Sequence, residues 1–229
     1  MIHRLLWPRV LLAALLAASA ITLGGCDQIR PFEELCEERL APARIEVEAA
    51  PIEVTTDFSR SREQLTAAGA PSAGRTVLGL TETQIKWSVA MGGNALTRRI
   101  GGRHCLRPDV KVRLSMEPMT VSIANEYPPG TCSFDLTMAH EQKHVQVYQV
   151  FLFDVTKRVQ EQLRARFGER VLYFASAAEA DKHLSNLTRD TLSPLVGNAI
   201  QEVTPLQTAV DSPEEYFRLD RFQEACAGR

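Results

Sequence analysis

Residues 136–166 read LTMAHEQKHVQVYQVFLFDVTKRVQEQLRAR, a stretch free of proline and glycine. Apolar side chains recur at spacings of three and four through Val147, Phe151, Val155 and Val159, the period of a helix with one buried face. One long helix is predicted, ending near Gly168. The rest of the chain divides around it.

Upstream, Ile45/Val47 and Ile52/Val54 alternate with Glu46, Glu48 and Glu53, as strands with one wet face do. Ser61 is expected to cap a short helix reaching Ala68, closed by Gly69 and Pro71. Residues 76–80 and 83–91 read as strands, with Gly92-Gly93 and Gly101-Gly102 bracketing a basic loop that holds Arg98, Arg99, Arg103 and His104. Residues 110–114 and 120–124 alternate again and are expected to meet at a turn through Glu117-Pro118. Downstream, residues 176–193 suggest a second helix, broken at Pro194 and Gly197, and 213–225 a third, capped by Asp211 or Ser212. The fold class is α+β, an N-terminal antiparallel β region followed by the long helix and further C-terminal helices.

Composition excludes several functions. Across 229 residues, 26 Lys+Arg face 28 Asp+Glu for a net charge of −2, with 45% apolar and 24% charged residues. A nucleic-acid binder would carry a basic excess. Gly101-Gly102 lacks the strand–helix setting of a phosphate loop, so no nucleotide is expected. No Gly-x-Ser-x-Gly elbow is present either.

The N-terminus is an address. Arg4 and Arg9 precede an apolar run from Val10 to Leu23, shorter than the roughly 20 residues of a spanning helix but suited to a signal peptide. It closes on Leu23-Gly24-Gly25-Cys26, which resembles a bacterial lipoprotein signal with Cys26 as the acylated first residue of the mature chain. Residues 1–25 then form the signal peptide, 26–43 a tether with one short amphipathic turn around Phe32, Leu35 and Leu40, and 44–229 a single domain, mainly β over 44–127 and mainly α over 133–229. Losing Arg4 and Arg9 leaves a net charge of −4. The expected location is a bacterial membrane surface facing the periplasm, held through the N-terminal lipid. Asp27 after the cysteine resembles an inner-membrane retention signal.

Four cysteines remain, Cys36, Cys105, Cys132 and Cys226. An even number in an exported domain points to two disulfides. The expected pairing is Cys105–Cys132, across the strands before the long helix, and Cys36–Cys226, between the chain ends. No cysteine pair has the close spacing of a zinc site.

The chemistry sits in the long helix, at His140-Glu141-Gln142-Lys143-His144. Residues four apart share a helix face, so two imidazoles can hold one Zn²⁺ while Glu141 reaches a water beside it. His140 and His144 fall on the stripe of Val147, Tyr148 and Phe151, the packed side. In this reading His140 and His144 are zinc ligands and Glu141 is the general base of an amide hydrolysis. A catalytic zinc needs a third protein ligand. Val150 stands where an extended motif would place a histidine, and Glu161 lies about 25 Å along the helix, so the ligand is expected after Gly168. Glu215 and Glu202 are the leading candidates, with His183 behind them. Tyr148, Tyr216 and His183 are candidate donors to a developing oxyanion.

This H-E-x-x-H, following a β region in an exported chain, resembles the zincin metallopeptidases. More narrowly, Ser59–Leu65 with Val77–Thr81, Cys105 before a strand, and Ala139–His144 are similar to domain of unknown function 922, a bacterial family of secreted zinc-dependent proteases. The similarity covers about residues 45–165, with Lys143 in a slot where a small residue is expected. It implies a zincin-like fold and a membrane-anchored zinc metallopeptidase acting on a peptide or protein substrate in the cell envelope. The rival readings are a non-catalytic envelope lipoprotein with a metal-binding or vestigial site, and a zinc amidase acting on cell-wall peptides.

Overall fold

The computed structural model describes residues 30–69 and 75–227. Cys26 and the signal peptide lie outside them, as does Pro71. The elements run α1 (Phe32–Arg39), β1 (Ile45–Ala49), β2 (Val54–Asp57), α2 (Arg62–Ala68), β3 (Gly79–Thr97), β4 (His104–Ile123), α3 (Cys132–Phe167), β5 (Leu172–Phe174), α4 (Ala177–Leu187), a π-helical turn (Thr188–Leu192), α5 (Ser193–Gln201), α6 (Val203–Val210) and α7 (Pro213–Ala227). The chain is mixed α and β, with one five-stranded sheet and several helices.

β4 is the spine of that sheet. β3 runs antiparallel along its whole length, while β1 and β2 pair with it in parallel and β5 antiparallel. The sheet is therefore mixed, which corrects the expectation of an antiparallel β region. Gly92 and Gly93 lie inside β3, opposite Asp109 and Pro108, so the only loop of this hairpin is the turn around Gly101 and Gly102.

Residues 110–114 and 120–124 do not meet at a turn either. They belong to one strand whose register with β3 shifts by one between Thr83↔Met119 and Ile85↔Met116. The extra residue sits at Glu117-Pro118, and a proline, lacking an N–H, suits such a bulge. The bulge explains the apolar pattern. Val110, Val112, Leu114 and Met116 are buried before it, and Met119, Val121 and Ile123 after it, so the alternation changes parity while the buried face stays the same.

α3 packs on that face. Thr131 caps its start by accepting from the Phe134 N–H, and Gly168 closes it. Its buried stripe of Val145, Leu152, Val155, Val159 and Leu163 shares one core with the β4 residues and with Leu192, Val196 and Ile200 from the later helices. Ser61 and Gln64 form a reciprocal capping box at the start of α2, as the sequence suggests.

Residues 32–40 are more than a tether. Phe32, Leu35, Cys36 and Leu40 are buried, and Arg103 of the basic turn pairs with Glu33.

The disulfides are Cys36–Cys105 and Cys132–Cys226, with Cα separations of 6.3 and 5.5 Å. This replaces the expected pairing, for a geometric reason. Cys105 opens β4 and Cys132 follows its end, and a 20-residue strand extends up to about 60 Å. A disulfide tolerates Cα separations of only about 7 Å. Two disulfides are consistent with an oxidising, exported environment. Among the described residues no helix is long and apolar enough to cross a membrane.

Candidate metal centre

Eight residues into α3 the packed face becomes polar. His140 and Glu141 are 6% and 4% exposed, in a helix whose other buried residues are Thr137 and apolar side chains. One turn apart on this face, the rings of His140 and His144 stand edge to face with centroids 5.1 Å apart.

The third member comes from far along the chain. Asp211 closes α6, and its Oδ1 lies 3.2 Å from His140 Nε2 and 3.3 Å from His144 Nε2. One ligand atom from each of the three residues falls within 4.8 Å of the others. Tetrahedral zinc ligands about 2.0–2.1 Å from the ion lie about 3.3 Å apart. The two separations from Asp211 fit that spacing, and the donor set suits a borderline cation.

The outer nitrogens are also committed. The side-chain amide of Gln207 donates from Nε2 to the His144 carbonyl at 3.1 Å, which turns its Oε1 toward His144 Nδ1 at 2.7 Å. Nδ1 must then carry a proton, and a neutral His144 presents a bare Nε2 to the site. His140 has the same arrangement, with Nδ1 3.4 Å from Glu215 Oε1. Two bare imidazole nitrogens facing one carboxylate oxygen are acceptors confronting an acceptor. The group is electrostatically complete only with a cation at its centre, either a proton or a metal.

The titration shifts agree. Burial disfavours the Asp211 carboxylate, but hydrogen bonds from His140, His144 and Tyr216 outweigh it and hold the carboxyl well below its ordinary range. Burial likewise opposes the His144 imidazolium, and hydrogen bonds to Asp211 and Gln207 with nearby Glu141 raise its pKa nonetheless. Burial pushes the Glu141 carboxyl up, against a hydrogen bond from Thr81 and the neighbouring histidines.

Glu141 is held from the sheet. The Thr81 hydroxyl donates to its Oε2 at 2.7 Å. The start of β3 passes so close that a Cβ on Gly79 would lie 2.7 Å from Glu141 Oε1 and 2.7 Å from Thr137 Cγ2. Glycine is what permits this approach.

Of the expected third ligands, Glu215 reaches the site from α7 but stands behind His140 and takes charge-assisted hydrogen bonds from Lys143 at 2.5 Å and Arg218 at 2.6 Å. The Arg218 hydrogen bond, with that from Lys143, lowers its pKa to about 2. Glu202 pairs with Arg158 on the surface, and the His183 ring packs on Phe174. Neither belongs to the group. Tyr216, an expected oxyanion donor, gives its hydroxyl to Asp211 Oδ1 at 2.9 Å. Tyr148 is half-buried on α3 one turn past His144. Asp211 itself reads in the sequence as a helix cap, and Ser212 takes that role, accepting from the Glu215 N–H.

No protein-family model matches the chain, and no curated protein or solved structure matches it.

Proposed function

We propose that this chain is a zinc-dependent hydrolase of the zincin type, a metallopeptidase anchored through Cys26 and cleaving peptide bonds in the cell envelope. The observation that carries the reading is the convergence of His140, His144 and Asp211 beside a buried Glu141. Three protein ligands with one position left over is the arrangement of a catalytic zinc, whereas structural sites use four.

The roles divide by residue. His140 Nε2, His144 Nε2 and Asp211 hold the ion, and Glu215 and Gln207 fix the imidazole tautomers from behind. A bound zinc supplies a Lewis acid for the scissile carbonyl and brings the pKa of water to roughly 7. Glu141 takes the proton of the attacking water and delivers it to the leaving amine. Burial raises its pKa in the metal-free site, which makes it a stronger base toward the water while it stays acidic enough to protonate the amine. Thr81 holds the carboxylate in place meanwhile.

The second reading is a non-catalytic metal site. The hydrogen bond that already occupies Glu141 Oε2 and the depth of its burial favour that reading. Glu141→Gln separates the two. In a peptidase the variant keeps its zinc and loses peptide cleavage by at least a factor of about 10². Unchanged cleavage in that variant would remove Glu141 from the mechanism.

A further inference from the structure

The element that completes the centre is weakly packed. α7 has no fully buried side chain among its described residues, although it carries Glu215 and Tyr216 and begins two residues after Asp211. It runs antiparallel to the first turns of α3 and touches them at three levels. Glu215 meets His140 and Lys143 at one end. Gln223 Nε2 lies 3.4 Å from Thr137 Oγ1 and 3.5 Å from the Ser133 carbonyl midway. Cys226 is bonded to Cys132 at the other end. The first two levels are hydrogen bonds, joined at the first by a ring contact between Tyr216 and His140 with centroids 6.0 Å apart, and the third is covalent.

The spacing matches on both helices. Lys143, which donates to Glu215, lies eleven residues after Cys132, and Glu215 lies eleven residues before Cys226, about 16 Å along each helix. The covalent link therefore fixes the register in which Glu215 backs His140 and Asp211 faces both histidines.

We propose that the Cys132–Cys226 disulfide is a positioning element of the metal centre, so that tight metal binding requires its oxidised form. This rests on the zinc-site reading above. Cys36–Cys105 joins α1 to the opening of β4 within an apolar cluster of Phe32, Leu40, Leu96 and Val171 that draws on no α7 residue. It serves as the internal control. Linkage makes the coupling reciprocal: if the disulfide tightens metal binding, bound metal protects the disulfide.

The test uses the full chain in detergent and Zn²⁺ titrated against a chromophoric chelator. Cys132→Ala/Cys226→Ala is expected to bind zinc about 10- to 100-fold more weakly than wild type, the cost typical of losing support behind the ligands. Cys36→Ala/Cys105→Ala is expected to bind it unchanged. In the unmutated chain equilibrated in glutathione buffers (two glutathione thiols become one glutathione disulfide as each protein disulfide gives two thiols), half-reduction of Cys132–Cys226 should need a several-fold more reducing buffer with zinc than without. Alkylation and mass spectrometry read that balance even where the double variant fails to fold, and Cys36–Cys105 should be half-reduced in the same buffer in both conditions.

Wild-type affinity in Cys132→Ala/Cys226→Ala, or no zinc protection of that disulfide, overturns the proposal and leaves the zinc site standing. Equal losses in both double variants overturn it as well, since they report general loosening. No zinc in the wild-type chain overturns the site and the proposal together.

Discussion

Gln207 and His144 are joined by two hydrogen bonds that close a ring, Nδ1 to Oε1 at 2.7 Å and Nε2 to the His144 carbonyl at 3.1 Å. The second fixes which way the amide points, and through the first it fixes which imidazole nitrogen is bare. A residue 63 positions away thus decides that His144 meets Asp211 through Nε2.

Gln207→Ala should therefore weaken zinc binding by about 10- to 100-fold while leaving the fold in place. Gln207→Glu keeps an acceptor for Nδ1–H and should stay within a few-fold of wild type. Equal affinities in all three proteins, measured by chelator competition, would show that His144 needs no such support.

Asp211→Asn keeps the shape of the side chain and removes its charge. In the metal-free protein the His144 pKa should then fall, because burial is opposed only by Gln207 and Glu141 once the Asp211 charge is gone. Proton NMR of the imidazole gives the titration directly. An unchanged midpoint would mean that Asp211 does not face His144.

The pH dependence has two signs. A raised His144 pKa stabilises the metal-free protein below the unfolded value of about 6.5, and that contribution is lost as pH rises through the folded value. Metal must displace the same proton, so zinc affinity rises over that interval. Melting temperatures of the metal-free and zinc-loaded forms should accordingly diverge above about pH 6.5. Parallel curves would indicate that no ligand proton is released. At the acid end, Glu215, lowered to about 2 by Arg218 and Lys143, contributes stability above its ordinary value that disappears as pH falls from about 4.5 toward 2.

Gly79→Ala tests the approach of β3 to the site. The added methyl would meet Glu141 Oε1 and Thr137 Cγ2 at 2.7 Å, and overpacking of this kind costs about 1–3 kcal/mol. A melting temperature equal to that of wild type would show that strand and helix yield freely there.

Half of the centre is legible in the sequence and half is not, for physical reasons. His140, Glu141 and His144 declare themselves because helical spacing places them on one face, in a segment free of breakers. Asp211 is hidden because aspartate before Ser-Pro reads as a helix cap, and nothing local distinguishes a ligand from a cap. Helix rise would locate a returning ligand only along a straight second helix. The chain instead comes back through α4, a π-helical turn, α5 and α6, so the level of the histidines is regained at residue 211, past Glu202.

The sheet shows a similar limit. A change of parity in apolar alternation at Glu117-Pro118 is equally the mark of a turn between two strands and of a bulge within one. A turn there would halve β4 and bring Cys105 within reach of Cys132, whereas the bulge keeps the strand whole and the two cysteines at opposite ends.

Every role proposed above depends on a metal held by His140, His144 and Asp211, and the metal content of the purified full chain decides whether one is there. About one zinc per chain is predicted in wild type and in Glu141→Gln, and none in His144→Ala. A wild-type chain that carries no zinc after equilibration with it, or a His144→Ala chain that retains a full equivalent, would rule out this site.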